Sequence, residues 1–380
     1  MTTETLLIEL GTEELPPKSL KTLATAFYDN IKSQLDSNNL TYSDIKWFAT
    51  PRRFAVQVFD LIEKQEDKTV EKRGPAVNVA FDDAGNASKA AQGWARSNGI
   101  EVEQAERLVT DKGEWLLHRA TVTGKAVVEL VPAMVTTALN KLPIAKPMRW
   151  GAERTQFIRP VQTLTMLFGS DIIAGEALGV SSSNQVQGHR FHHEGLVTIN
   201  HANDYQTELA KAYVEVDFNE RQNKIVAQIK QAATDIDAVA LIDEELLNEV
   251  TALVEWPVTL VGTFDEDFLN VPAEPLIYSM KDHQKYFPVT DKQGQLVNKF
   301  IFVANIESKD PNTVIFGNEK VIRPRLADAE FFFKTDKKQS LESRLVSLES
   351  VLFQKQLGTL KAKSERIATL SQFIAEQLNE

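Results

Sequence analysis

The chain has 380 residues, of which 43% are hydrophobic and 25% are charged, a composition typical of a water-soluble protein with two or three domains. It has no cysteine, which excludes disulfides, thiolate zinc sites and a cysteine nucleophile, and agrees with a cytoplasmic location. The net charge of −11 argues against indiscriminate nucleic-acid binding, although a few placed Arg and Lys residues suffice to contact phosphates. We expect neither a membrane span nor a signal peptide.

The first segment predicts a strand, a loop and a helix. Residues 5–10 are mostly apolar, and from Pro17 onward apolar residues recur with the period of an α-helix. Proline is tolerated in a first helical turn because its missing N–H has no partner there anyway. The loop carries Glu13 and Glu14, whose adjacent side chains diverge and are poorly placed to share a proton or a metal ion. We interpret this loop as a polar connection, with Gly11 for the turn and proline for the helix entry.

Two later segments share a pattern in which an Arg/Pro group precedes an apolar run. They are WFATPRRFAVQVF, with a strand predicted at 54–59, and TQFIRPVQTLTMLFG. They are either an internal repeat or two strands of one sheet with a small domain inserted between them. Residues 63–73 lack large apolar groups, and we interpret them as an exposed connection and a domain boundary.

The remaining chain predicts alternating helices and short strands. The expected elements are a helix capped by Ser88 that ends at Gly99, a strand at 113–124, a helix from 127, a two-piece helix at 203–233, a helix at 243–254, a strand at 258–262 and a hairpin at 285–306. From about residue 336 the pattern is wholly helical, and the spacing of Leu341, Leu345, Leu348 and Leu352 is that of a short coiled-coil-like stripe. The last helix has no cap, so we expect the chain to be part of a longer one.

These elements predict an α+β or mixed α/β multidomain fold, with antiparallel or mixed sheets packed by helices and followed by a helical C-terminal segment. The expected domains are residues 1–66 with about 144–185, an inserted small α/β domain at 67–143, a second α/β domain at 186–335, and a helical segment at 336–380.

Basic residues recur beside aromatic residues, prolines or glycines. Arginine binds phosphate with two parallel hydrogen bonds, and a neighbouring ring can stack on a base. At any single position a salt bridge within this acidic chain is the favoured interpretation, but the recurrence indicates that at least one cluster is functional. The candidates are Arg52, Arg53, Arg149, Arg159, Arg190, Lys281, Lys285, Arg323 and Arg325.

The histidines do not form a recognisable catalytic or metal motif. GHRFHHEG places His189, His192 and His193 close together, and on a strand His189 and His193 would share a face; the favoured interpretation is polar loop and groove histidines. Asp282 and His283 are sequence neighbours, which rarely hold triad geometry, and no nucleophile or phosphate-binding motif is present. We therefore predict no catalytic residue and no metal ligand.

Several long segments resemble the motifs of one protein family, and they occur in the same order along the chain. They include LIELGTEELPPKSL, ATPRRFAVQV, FDDAGNASKAAQGWARSNG, KPMRWG, GHRF, MKDHQKYFPV and GNEKVIRPRLADAEFFFKTD. Between residue 4 and about residue 370 the chain resembles the beta subunit of bacterial-type, heterotetrameric glycyl-tRNA synthetase. Ser279 stands where the family motif leads us to expect threonine.

The resemblance implies that a separate alpha subunit activates glycine with ATP and Mg, so that this chain needs no cofactor and is inactive alone. It implies two partners, the alpha subunit in an alpha2beta2 complex and tRNA(Gly), and no membrane. It also implies similarity to B3/B4-type domains of the phenylalanyl enzyme's beta chain, and a subunit nearly twice as long, with HD-like and anticodon-binding domains after residue 380.

The candidate basic residues, together with His189 and His283, are then expected to contact tRNA. Two alternatives stay open. The first is a structural scaffold for subunit assembly without tRNA contact. The second is a vestigial editing-like hydrolase pocket near His189 and His283.

Overall fold

Contacts between Cα atoms divide the chain into two units: Met1–Arg221 with Thr251–Trp256, and Gln222–Val250 with Pro257–Glu380. The structure is a computed structural model that describes residues 2–82, 85–152 and 154–378. Asp83 and Ala84 of the FDDAGN segment lie outside these ranges. The four predicted domain boundaries stay a prediction.

The elements of the first unit are, in chain order, β1 (Thr3–Thr12), α1 (Pro17–Ser37), β2 (Asp44–Thr50), β3 (Arg53–Ile62), β4 (Lys68–Ala76), α2 (Val77–Ala80), α3 (Lys89–Ser97), β5 (Glu106–Thr110), β6 (Gly113–Val122), α4 (Val127–Asn140), β7 (Met148–Arg149), β8 (Gln156–Phe157), β9 (Val161–Phe168), β10 (Asp171–Ile172), β11 (Glu176–Ala177), β12 (Val180–Ser183), β13 (Gln185–Gln187), β14 (Leu196–Thr198) and α5 (Tyr205–Lys211). Short 3-10 helices lie at Val102–Gln104 and Ala202–Asp204.

The division between the units falls within α6 (Phe218–Asp235). The elements that follow are β15 (Val239–Ala240), α7 (Glu244–Thr251), β16 (Val258–Thr263), α8 (Ala273–Tyr278), β17 (Phe287–Thr290), β18 (Leu296–Ala304), α9 (Pro311–Asp336), β19 (Leu352–Gln354), β20 (Gly358–Thr359) and α10 (Leu360–Leu378). Two 3-10 helices, Glu266–Asn270 and Glu342–Ser350, and a π-helix at Ser279–His283 complete the second unit.

The main sheet of the first unit has the strand order β11-β12-β9-β1-β3-β2, with β10 paired to β9. Strand β1 lies between β3 and β9 and is antiparallel to both, with Leu10 opposite Phe54 on one side and Leu164 on the other. The two Arg/Pro-led segments are thus strands of one sheet on either side of β1. The structure favours that interpretation over an internal repeat.

Alternating side chains give the main sheet two buried faces. Leu6, Ile8 and Leu10 pack with α1 and α4, whereas Leu7 packs on the opposite face with α5. The apolar positions predicted for α1 are all buried, and no side chain caps its N-terminus. Full burial of a Leu, Ile or Phe side chain contributes about 1.5–3 kcal/mol, so packing is what stabilises this helix.

The prediction that Gly11 forms the turn is wrong, because β1 continues to Thr12. Its neighbour across the sheet is Thr163 of β9. A Cβ atom on Gly11 would lie 2.1 Å from the Thr163 hydroxyl oxygen, so the strand accepts only glycine at this point without rearrangement. The turn between β1 and α1 comes after Thr12.

A smaller sheet of order β4-β6-β5 follows β3. Residues 63–73 were predicted to be an exposed connection, and this is wrong for their second half, since β4 begins at Lys68 and pairs with β6. Its exposed polar side chains, such as Glu71 paired with Arg119 at 2.9 Å, explain the lack of apolar residues. The predicted capping of α3 is confirmed, because the Ser88 hydroxyl accepts a hydrogen bond from the Ala91 N–H.

The second unit contains a four-stranded sheet of order β15-β17-β18-β16. The predicted hairpin is confirmed as β17 and β18, with Gly294 in the turn at a φ of +83°. Phe300 of β18 packs face to face with Tyr286, and α9 covers this core with Ile322 and Leu326.

The last segment is not wholly helical, although it ends in α10 as expected. Residues 342–350 form a 3-10 helix, and β19 and β20 form a short hairpin before α10. The hydroxyls of Ser343, Ser347 and Ser350 each donate to the carbonyl three residues earlier, at 2.7 to 2.8 Å. Serine hydrogen bonds of this kind compete with the α-helical ladder, and they interrupt the predicted leucine stripe. The mixed α/β fold class is confirmed.

Candidate functional site

A buried ion-pair network lies on the Leu7 face of the main sheet. Glu9 interrupts the apolar run of β1 and points to the same face as Leu7, two residues before it. Arg53, at the start of β3, lies between two carboxylates: one guanidinium nitrogen is 3.4 Å from Glu9 Oε2 and another is 3.3 Å from Glu255 Oε1. The Arg53 and Glu9 side chains are fully buried. The network thus joins β1, β3 and the segment 251–256.

Hydroxyl groups complete this network. Tyr205 donates to Glu9 Oε2 at 2.5 Å, and the Thr50 hydroxyl donates to Glu255 Oε1 at 2.7 Å. Burial raises the pKa of Glu9, although Arg53 and Tyr205 act in the opposite direction. Burial also raises the pKa of Tyr205, and the negative charge of Glu9 adds to that shift.

One carboxylate oxygen of the network stays unsatisfied. Among the described residues, Glu9 Oε1 has no hydrogen-bond partner, and neither have the hydroxyls of Thr163 and Thr165 in β9. Thr165 lies directly opposite Glu9 in the sheet. A buried anionic oxygen without a donor is poorly stabilised, which agrees with the raised pKa of Glu9.

A second buried arginine binds main-chain carbonyls in the first unit. Arg221 donates to Ala49 O at 2.7 Å, to Glu215 O at 2.5 Å and to Thr251 O at 3.2 Å. Burial lowers its pKa to about 10. Residue types along the chain do not indicate this role, because the acceptors are all backbone atoms.

Glu13 and Glu14 share one partner at the end of β1. Arg190 is 3.0 Å from Glu13 Oε2 and 3.3 Å from Glu14 Oε1, and Arg159 Nε donates to the Glu14 carbonyl at 2.8 Å. The four residues line a cavity of about 390 Å³. The carboxylates offset the arginine charge, so this cavity is only weakly suited to a phosphate. Arg52 is half-buried beside it and donates to Gln187 Oε1 and Gly188 O.

The GHRFHHEG segment forms a turn rather than the strand considered above. His189 is fully buried, and its Nδ1 atom accepts hydrogen bonds from the N–H groups of Phe191 and His192. The rings of His192 and Tyr213 pack at a tilt with their centroids 4.8 Å apart, and the Tyr213 ring meets that of Trp256 edge to face at 5.4 Å. Within the described ranges no group of His, Asp and Glu side chains is arranged to hold a metal ion.

The MKDHQKYFPV segment of the second unit has an unusual backbone. The π-helix at Ser279–His283 precedes Lys285, which has a φ of +61°, a conformation that non-glycine residues rarely adopt. Lys281 is 3.2 Å from Asp243, and Lys285 is 3.0 Å from Glu249. Both lysines are half-buried and bridge to α7 or the residue before it.

The structure separates the predicted contact residues into three groups by exposure. Those fully buried are Arg53 and His189; those half-buried are Arg52, Lys281 and Lys285; those exposed are Arg149, Arg159, Arg190, His283, Arg323 and Arg325. A buried guanidinium or imidazole cannot reach an external phosphate in this conformation. Arg323 is 3.6 Å from Asp265, whereas Arg325 lines a groove between α8 and α9 together with His283.

Comparison with known proteins first identifies the class of protein to which this chain is similar, the subunits of aminoacyl-tRNA synthetases. The model of the family described as glycyl-tRNA synthetase beta subunit matches residues 6–380. The chain belongs to this family.

Relatives agree with that assignment. The glycine–tRNA ligase beta subunit of Colwellia psychrerythraea is 95% identical over 380 residues, covering 100% of this chain and 55% of that protein. Those of Pseudoalteromonas atlantica and Psychromonas ingrahamii are 62% and 61% identical, covering 99% and 100% of this chain and 54% and 55% of those proteins. The chain spans about half the length of the curated relatives it matches. In the described part of the chain, no helix combines the length and apolarity that crossing a membrane requires.

Proposed function

We propose that this chain is a non-catalytic, tRNA-binding and assembly region of a cytoplasmic glycyl-tRNA synthetase. It supports the ATP-dependent attachment of glycine to tRNA(Gly) by an alpha subunit in an alpha2beta2 complex. The observation that carries the proposal is the family match over residues 6–380. The basic and aromatic side chains that remain exposed in the structure support the tRNA-binding part.

The chain alone is expected to be inactive, with ATP and Mg bound by the alpha subunit. In the sequence there is no phosphate-binding loop and no nucleophile motif. Glycine-dependent ATP–pyrophosphate exchange by the isolated 380-residue chain would overturn this part of the proposal.

The proposed tRNA contacts are the exposed residues Arg149, Arg159, Arg190, His283, Arg323 and Arg325. Each Lys or Arg that neutralises a phosphate releases counterions, so binding weakens with salt in proportion to the number of such contacts. Replacing Arg149 and Arg325 with Ala in a full-length beta subunit with its alpha partner should weaken tRNA binding and flatten the salt dependence by about one contact each. Arg119→Ala is the control, because this arginine is already paired with Glu71 and Glu106.

The scaffold function is the second candidate, and the ion pairs favour it. Lys281, Lys285 and Arg190 all reach carboxylates of their own unit. Unchanged tRNA affinity in the folded double variant, with weaker association of the alpha subunit, would support the scaffold and refute tRNA contact. Deacylation of mischarged tRNA tests the editing-like alternative, for which His189 is fully buried whereas His283 lines the groove between α8 and α9.

A further inference from the structure

The groove between α8 and α9 is an open cavity of about 420 Å³ within the second unit. We call it the α8–α9 groove and define it by Tyr278, His283, Arg325, Asp328, Phe332 and Asp336. It combines exposed aromatic rings, one guanidinium and two carboxylates, and one of the carboxylates, Asp336, is paired with Arg344 at 2.9 Å.

The sequence of α9 places its share of these side chains on one helix face. Arg325, Asp328, Phe332 and Asp336 are spaced by three or four residues, which aligns them along α9. The core-facing side chains of the helix are instead Ile322 and Leu326. The groove face of α9 adjoins the core face, because Ala329 and Phe333 line the groove and also pack against the core.

The opposite wall comes from the end of α8 and the π-helix. Tyr278 ends α8, and His283 ends the π-helix, with the two rings 5.2 Å apart in an edge-to-face arrangement. Tyr278 is 57% exposed and Phe332 is 63% exposed. Large aromatic side chains left this open are costly in water, and they offer flat surfaces on which a ligand ring can stack.

The charges of the groove restrict its ligand. Asp336 is already 2.9 Å from Arg344, so Arg325 and Asp328 are the charges left for a ligand. A bare phosphate would meet Arg325 but also Asp328, and a purely apolar helix would pair with neither. A nucleotide matches the set: its phosphate can bind the guanidinium, its base can stack on an aromatic ring, and its amino group can donate to a carboxylate.

We propose that the α8–α9 groove binds one unpaired nucleotide of the tRNA, with a base that carries an amino group. The base stacks on Tyr278 or Phe332, the phosphate lies at Arg325, and Asp328 accepts a hydrogen bond from the base edge. This inference rests on the proposed function, since it names the part of tRNA that one surface takes.

The test uses Phe332→Ala and Tyr278→Ala in the full-length beta subunit with its alpha partner, and measures Kd for tRNA(Gly) by filter binding. Loss of one stacked base should weaken binding about fivefold or more. Phe316→Ala is the matched control, because Phe316 is also an exposed phenylalanine of α9, 66% exposed, and does not line the groove. Circular dichroism and Tm confirm that each variant is folded.

A second measurement detects base stacking in the groove directly, by fluorescence. A single-stranded hexanucleotide containing 2-aminopurine should lose fluorescence on binding to the wild-type complex and less so with Phe332→Ala.

The outcomes separate the two proposals. Weakened binding by both groove variants, with the control unchanged, supports the inference. If the wild-type complex binds tRNA and the groove variants match the control, the groove inference fails while the proposed function stands. If the wild-type complex does not bind tRNA, the proposed function fails first. If the variants lose the alpha subunit but keep their tRNA affinity, the groove is a protein contact and the inference is wrong.

Discussion

Replacing Arg53 with Met should lower the free energy of unfolding of the first unit, because the substitution leaves the buried carboxylates of Glu9 and Glu255 without their shared cation. Methionine keeps much of the volume of the arginine stem, so the effect is mainly electrostatic. Removing one partner of a buried ion pair costs about 3–5 kcal/mol. Glu9 and Glu255 keep hydrogen bonds from Tyr205 and Thr50, and we therefore expect a loss of about 3 kcal/mol, at the lower end.

The assay is urea unfolding of the 380-residue chain, followed by tryptophan fluorescence and circular dichroism. Glu9→Gln in the Arg53→Met background removes one uncompensated charge and should recover part of the loss. The control is Arg119→Met, whose ion pair with Glu71 is exposed to solvent and should change the free energy of unfolding little. A loss below 1 kcal/mol for Arg53→Met, or reduced tRNA affinity at unchanged stability, would refute a structural role for Arg53.

Three further changes test the same sheet and its neighbour. Because the pKa of Glu9 is raised, the folded state keeps the proton on Glu9 to a higher pH than the unfolded state does. The contribution of Glu9 to the free energy of unfolding therefore falls as the pH rises above about 4.3, the pKa of an unperturbed Glu. In urea titrations at increasing pH, the stability of Glu9→Gln relative to the wild type should increase over the same range. Gly11→Ala should cost about 1–3 kcal/mol by overpacking against Thr163, and a double-mutant cycle with Thr163→Ala should show partial rescue; additive losses would contradict the steric explanation. Ser88→Ala should cost about 1 kcal/mol by removing the cap of α3, seen as faster amide exchange at Ala91; unchanged exchange would exclude a capping role.

Local patterns predicted those elements whose signals lie within a few residues. Helix α1 follows from its apolar period, the β17–β18 hairpin from its central glycine, and the start of α3 from Ser88. The leucine spacing after residue 340 predicted an α-helix that is not formed, because serine hydroxyls in the same segment donate hydrogen bonds to backbone carbonyls. Spacing alone does not register that competition.

The buried network could not be predicted in full, because its members are far apart in the chain. Arg53 lies 44 residues from Glu9 and 202 residues from Glu255. The available signal was Glu9 itself, a charge within an apolar run that has to find a buried partner. The basic–aromatic pattern identified Arg53 as a contact residue, but the fold uses that arginine internally. No helix was predicted for residues 311–336, so α9, the alignment of its groove residues and the Tyr278 wall all emerge only from the structure.

We propose above that this region binds tRNA for a catalytic centre on another subunit, and tRNA glycylation kinetics measure that contribution. The complete alpha–beta complex should be compared with one carrying Arg149→Ala, Arg159→Ala and Arg325→Ala. Contact with tRNA predicts that the variant complex has a raised KM for tRNA(Gly) and unchanged glycine-dependent ATP–pyrophosphate exchange. An unchanged KM together with lost exchange would contradict it.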